Sequence, residues 1–371
     1  MVKRLVLCFD GTWNSADSER AETNVARIAR AVRANSGSDR VRQITLYLRG
    51  VGSTGIALER LVGGAFGKGV EENIRSGYMF LAQNYEPGDE IFMFGFSRGA
   101  FTARSLVGFI GASGLLKRQQ LGDIVDAWNY YRTADPRSPA DFCQVHKSDC
   151  HTDVTIAFLG VWDTVGALGI PGTVLNRLTA RQYEFHDTTP SRIVRVGRQA
   201  LAIDEQRDEF VPTLWTGVAP AGCDIAQVWF AGAHSDVGGG YSQRALADIP
   251  LVWMAEEAAK AGLQLDDEIL PNRVTLDACA PQHESRQSWS RKDLLSPTIR
   301  QVMGGEPDVG LLERLYRPMD PEGRLLTPIN ESLHPSVRQR FGKPTILLNG
   351  SEEAAAEHFT YHPKSLMHLF S

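Results

Sequence analysis

A series of short, almost uninterrupted apolar runs, set between longer segments with apolar residues at helical spacing, limits the fold more than any other feature. The runs fall at residues 4–9, 43–48, 90–94, 154–161 and 225–230, and the helical patterns at 24–34, 70–85, 99–110, 196–203 and 246–261. A strand with water on one face alternates apolar and polar residues, whereas a strand covered on both faces is apolar throughout. Parallel strands also need a long crossover, usually a helix. The expected fold class is therefore α/β, a doubly wound and mostly parallel sheet between two helical layers. From about residue 265 the pattern loosens into Pro-, Arg- and Asp-rich stretches with one further strand candidate at 344–348. One domain is expected, with a core over about 1–262 and a less regular C-terminal cap or flank over about 263–371.

Composition narrows the function. With 371 residues, 43% of them apolar, the chain can bury a large core. The net charge is only −5, and like charges are not blocked together, so no nucleic-acid partner is expected. The five cysteines (Cys8, Cys143, Cys150, Cys223 and Cys279) are scattered and form no C-x-x-C pair. They read as reduced thiols, with no metal site. The apolar run from Leu5 to Phe9 is too short for a signal sequence. The lightly charged stretch 105–116 falls short of a membrane span. Synthesis in the cytoplasm is expected, with export through a route that needs no signal peptide left open.

In such sheets, ligands sit beyond the carboxyl ends of the strands, and the residues there carry chemistry. Gly95-Phe96-Ser97-Arg98-Gly99 lies between the third strand candidate and a helix. This is the strand–turn–helix setting of a nucleophile elbow, where a tight turn exposes a serine hydroxyl and leaves no room for side chains at the flanking glycines. The helix that follows directs its free N–H groups and positive dipole end at a developing oxyanion. Arg98 would supply one oxyanion N–H through its backbone. A second donor is expected from the loop after the first strand, with Gly11 and Thr12 as candidates and Asp10 holding that loop.

An acid and a base should follow the serine in chain order. Asp163 ends the fourth strand candidate, and His234 follows the fifth. His234 would take the Ser97 proton while Asp163 fixes its tautomer. Asp204, read as standing at a helix end, is the rival acid. His334, in the loosely patterned tail, is the rival base. Asp236 opens the glycine-rich stretch beside His234, read mainly as a turn.

Two other chemistries fail on single positions. Phe9-Asp10-Gly11-Thr12 is like the start of a D-x-D-G-T phosphatase motif, but Cys8 stands where that mechanism needs a carboxylate. The segment 63–69 hints at a phosphate-binding loop, but Val62 and Gly69 occupy the positions that require Gly and Ser or Thr.

The blocks Cys8-Phe9-Asp10-Gly11-Thr12-Trp13-Asn14, Phe94-Gly95-Phe96-Ser97-Arg98-Gly99-Ala100, Val161-Trp162-Asp163-Thr164-Val165-Gly166 and His234-Ser235-Asp236-Val237-Gly238-Gly239-Gly240-Tyr241 resemble, in this order, one family of α/β-hydrolase domains. Its best-understood members are the catalytic modules of phospholipase effectors of the bacterial type VI secretion system. The resemblance implies a triad of Ser97, Asp163 and His234 that hydrolyses acyl esters, with glycerophospholipids as the substrate class. No cofactor or metal is implied, and the expected partners are an acyl ester or phospholipid substrate and peripheral contact with a membrane. The alternatives are a soluble carboxylesterase acting on a small acyl ester and, from a different class, a non-catalytic binding module on a hydrolase scaffold.

Overall fold

The computed structural model describes residues 2–11, 21–35, 41–50, 65–133, 137–166, 188–286, 294–320, 322–349 and 356–370. Its strands are β1 (Lys3–Phe9), β2 (Arg42–Leu48), β3 (Glu90–Phe96), β4 (Ile156–Trp162), β5 (Val194–Ala202) and β6 (Asp224–Phe230). The flank adds β7 (Gln282–Glu284), β8 (Thr298–Arg300), β9 (Arg314–Tyr316), β10 (Glu331–Leu333), β11 (Pro344–Asn349) and β12 (Glu357–Thr360). The helices used below are α1 (Asn24–Ala31), α2 (Ala65–Asn84), α3 (Arg98–Ser113), α4 (Ile124–Tyr131), α5 (Pro139–His146), α6 (His234–Gly238), α7 (Ala245–Lys260) and α8 (Pro335–Arg340).

The central sheet has the order β2-β1-β3-β4-β5-β6-β10, and every neighbouring pair in it is parallel. Successive residues of β1 feed opposite cores. Leu5, Leu7 and Phe9 pack with α2 and α3, while Val6 and Cys8 pack with α1 and α7. Two-sided burial is why this strand is apolar from Leu5 to Phe9, and each such side chain contributes roughly 1.5–3 kcal/mol. A third core, including Leu201, Trp229, Val337, Tyr361 and Leu366, joins the far end of the sheet to the flank.

Two expectations are overturned. The segment 196–203, expected as a helix, belongs to β5. Its apolar positions mimic helical spacing because Arg198 and Gln199 interrupt the run. Both are nonetheless buried: Arg198 is paired with Asp224 and Glu257, and Gln199 is bonded to Gln227. Tertiary partners thus remove the penalty that burying polar groups would otherwise impose. Cys143 and Cys150, expected as thiols, form a disulfide. The pairing of Leu115–Leu116 with Cys150–His151 brings Cys150 back toward α5, a proximity invisible in the spacing. Cys8, Cys223 and Cys279 are free.

The flank is also more regular than its composition suggests. It provides the edge strand β10, the parallel pair β8–β9, and a three-stranded sheet ordered β12-β11-β7. The strand expected at 344–348 is β11, in that smaller sheet.

Candidate active site

The parallel register lines up the carboxyl ends of the strands. Phe96 pairs with Trp162, Trp162 with Ala200, and Ala202 with Phe230. The residues just beyond, Ser97, Asp163, Asp204 and His234, therefore emerge at one rim of the sheet. Chain order reverses direction beside β1, so Ser97 and Asp10 flank the switch point where open α/β sheets bind ligands.

Ser97 joins β3 to α3 with φ 59° and ψ −123°. A side chain rarely adopts this conformation, and it persists only where the surroundings enforce it. Here its N–H donates to the Trp162 carbonyl at 3.0 Å. A Cβ on Gly95 would lie 2.5 Å from the Gly99 carbonyl oxygen, and one on Gly99 would lie 2.1 Å from the Phe9 carbonyl oxygen. Both glycines are therefore steric requirements of the turn. Arg98 is the first residue of α3, and its side chain is buried. Burial and the nearby Arg207 push its guanidinium pKa down to about 10.

Asp163 directly follows β4, also at positive φ (37°), and is fully buried. Its Oδ2 accepts from His234 Nδ1 at 2.6 Å and from Arg300 Nη2 at 3.0 Å. Its Oδ1 accepts from Arg300 Nη1 at 2.7 Å and the Ala202 N–H at 3.0 Å. Burial alone would raise this carboxyl, but Arg300 and the bond from His234 override it and hold the pKa below the ordinary value.

His234 follows β6 and opens α6. The stretch after it, expected as a turn, begins as this short helix. The imidazole packs against Phe96 and Phe210, with ring centroids 4.5 and 4.8 Å away. Burial lowers its pKa, against the opposing pull of Asp163. With Nδ1 donating to an ionised carboxylate, Nε2 carries the lone pair. The His234 backbone N–H donates to Glu205 Oε2 at 3.2 Å. Glu205 is bound at both oxygens by Arg207, which holds its carboxyl far below the usual range despite burial.

The rivals are engaged elsewhere. Asp204 follows β5 and does not stand at a helix end. Its Oδ2 accepts the Gly232 N–H at 2.6 Å and the Tyr361 hydroxyl at 2.8 Å. His334 caps α8 through Ser336 and stacks on Phe230. Burial pushes its pKa down to about 4. Asp236 accepts from the Ala233 N–H and binds His283 through both oxygens, and Tyr241 stacks on that ring.

On the β1 side, Asp10 accepts from the Gly11 N–H, the Thr23 hydroxyl and the Tyr47 hydroxyl. Burial raises its pKa to about 6. The Gly11 N–H, however, is turned to Asp10 rather than outward, so in this arrangement it is not an oxyanion donor. Thr12 lies outside the described residues.

Arg300, Glu205, Arg207 and His283 join this cluster without a motif in the sequence that marks them. Glu205 stood beside Asp204 in the sequence, but nothing in the spacing links Arg300, 137 positions from Asp163, to the site. Among the described residues, no group of three or more His, Cys, Asp or Glu side chains could hold a metal ion. No helix there is long and apolar enough to cross a membrane.

An uncharacterized protein of Saccharomyces cerevisiae is 30% identical over 236 residues, covering 58% of this chain. The chain spans 33% of that relative's length. A crystal structure of an uncharacterized protein from Pseudomonas aeruginosa superposes with a TM-score of 0.41 and 19% identity, over 74% of this chain and 48% of that one. The structure of the Tle1 effector bound to the VgrG spike from the type 6 secretion system superposes with a TM-score of 0.46 and 16% identity, over 74% and 77%. The profile of the family described as T6SS phospholipase effector Tle1-like, catalytic domain, matches residues 3–257, and the chain belongs to that family.

Proposed function

We propose that this member of a phospholipase-effector family is a serine hydrolase that cleaves the acyl ester bonds of glycerophospholipids, with Ser97 as nucleophile, His234 as base and Asp163 as its orienting acid. The observation that carries this reading is the 2.6 Å bond from His234 Nδ1 to the buried Asp163, on the same rim as a serine held at positive φ. A histidine so bonded presents the lone pair of Nε2, which is what deprotonating a hydroxyl requires.

In the reaction, Nε2 takes the Ser97 proton as Oγ attacks the ester carbonyl carbon. The carbonyl oxygen becomes an oxyanion, to which the backbone N–H of Arg98 donates at the positive end of α3. Collapse breaks the bond to the leaving alcohol, which departs with the proton from Nε2. Water, deprotonated by the same nitrogen, then attacks the acyl-serine, and collapse releases the fatty acid as Nε2 returns the proton to Ser97 Oγ. This route uses only protein groups and water.

A cavity of about 450 Å³ is lined by Gly166, three residues beyond Asp163, by the apolar Val211, Pro212, Leu214, Met319 and Leu326, and by Asp208 and Glu209. Phe210, which packs on His234, lies between the lining residues Glu209 and Val211. The test is a fluorophosphonate probe and a panel of phospholipids and short aryl esters. Ser97 labelling that disappears in His234→Ala, with turnover of phospholipid vesicles, is the expected result. Labelling that survives His234→Ala, or turnover of short esters alone, would overturn the base or the substrate class respectively.

A further inference from the structure

The C-terminal flank brings a charge into this rim. Arg300, the last residue of β8, is 1% exposed and binds both oxygens of Asp163. Its remaining reach goes to the carbonyls of Ala202, at the end of β5, and Phe210, whose ring packs on His234. One guanidinium thus ties together the ends of β4 and β5 and the turn that forms one wall of the imidazole's pocket. A planar fork matches a carboxylate in this way, and a lysine could not reproduce both parallel bonds.

We propose that Arg300 is a positioning residue for His234: it locks Asp163 in one rotamer and sets the pH at which the imidazole is neutral and able to act as base. The proposal rests on the reading of His234 as base. Asp163 accepts four hydrogen bonds, two at each oxygen, so it cannot turn away from His234 without breaking the fork.

The electrostatic part follows from counting charges. Among the described residues, the ionised groups that act on His234 include Asp163 beyond β4 and Glu205 and Arg207 beyond β5, and Arg300 on β8 acts on both Asp163 and Glu205. On its own short helix Asp236 is bonded to His283, and Arg98 at the start of α3 is coupled to Arg207. Asp163, Glu205, Arg207 and Arg300 sum to zero while His234 is neutral. Protonating the ring places a net positive charge in a buried site, which low polarity disfavours. Without Arg300 the same proton would neutralise a surplus negative charge. Arg300 therefore keeps the base unprotonated, and the hydrolase active, toward lower pH.

The test follows the His234 imidazole by nitrogen-15 NMR across pH 4–9, assigned with His234→Gln, alongside kcat/KM for an aryl ester. In Arg300→Gln the titration midpoint and the acidic limb of kcat/KM are expected to move together to higher pH by about one unit or more. Arg300→Lys keeps the charge but loses the fork. It should leave the midpoint within a few tenths of a unit while kcat falls about tenfold with little change in KM. Lost activity with an unmoved midpoint in Arg300→Gln, or full kcat in Arg300→Lys, would overturn the proposal. Should Arg300→Gln not fold, the Arg300→Lys result decides alone. Full turnover by His234→Gln would instead overturn the reading of the base, and the NMR midpoints would still report on Arg300.

Discussion

The two parts of this chain meet at the rim with different jobs. Residues up to α7 supply the groups that would touch substrate, each at the end of a buried parallel strand whose neighbours hold it in register. The flank beyond residue 262 supplies partners for the core's carboxylates. Arg300 binds Asp163, Tyr361 binds Asp204, Ser285 binds Glu205, and His283 binds Asp236. A buried carboxylate is costly unless fully hydrogen-bonded, and several carboxylates crowded at one rim need donors the sheet lacks. The flank answers that need, so it acts as a clamp on the site rather than as a cap alone.

The contrast can be broken most severely at the core. Ser97→Ala should lower ester turnover by about 10⁴- to 10⁶-fold while the unfolding midpoint stays near wild type. Residual turnover within tenfold of wild type would leave the rim without a nucleophile. Asp163→Asn should cost about 10⁴-fold in kcat, because an amide cannot fix the same tautomer. In contrast, Asp204→Asn weakens the link to Tyr361 and should cost about 1–3 kcal/mol in a denaturant titration, with kcat changed less than tenfold. A larger kcat loss in Asp204→Asn than in Asp163→Asn would exchange their assignments.

Asp10 offers a pH-dependent comparison. Its carboxyl titrates near 6 in the folded protein, above the ordinary value near 3.9, because burial favours the protonated form. The folded state then holds the proton more tightly than the unfolded state. This group's contribution is most favourable below about pH 4 and is lost as pH rises through 6, a difference on the order of 2–3 kcal/mol. Asp10→Asn should remove that component from the pH dependence of the unfolding free energy, and an unchanged slope between pH 4 and 6 would refute it. The smallest effect is expected at His334→Ala, which gives up a cap on α8. A loss of about 1 kcal/mol with undiminished fluorophosphonate labelling is expected, and abolished labelling would make His334 the base.

Much of the core was legible because two-sided burial writes itself into composition. The runs that became β1, β3 and β6 are mostly apolar, and Gly95 is forced by backbone contacts a few residues away, while Gly99 is forced by the Phe9 carbonyl of β1. β5 escaped notice because Arg198 and Gln199 find their partners on other elements, as did the disulfide between Cys143 and Cys150. Apart from β11, the flank was illegible for a related reason. Its strands are only three to six residues long, too short for a periodic signal to emerge.

What the sequence alone determined is therefore local: the buried strands of a doubly wound parallel sheet, and a serine set between two glycines where a strand turns into a helix, written in burial and in the sterics of a tight turn. Which acid meets His234, where the Gly11 N–H points, and that an arginine 137 residues away grips Asp163 were decided by the tertiary structure. Those choices depend on which polar groups are buried together, and desolvation makes a buried charge find its partner wherever the fold brings one, whatever the separation along the chain.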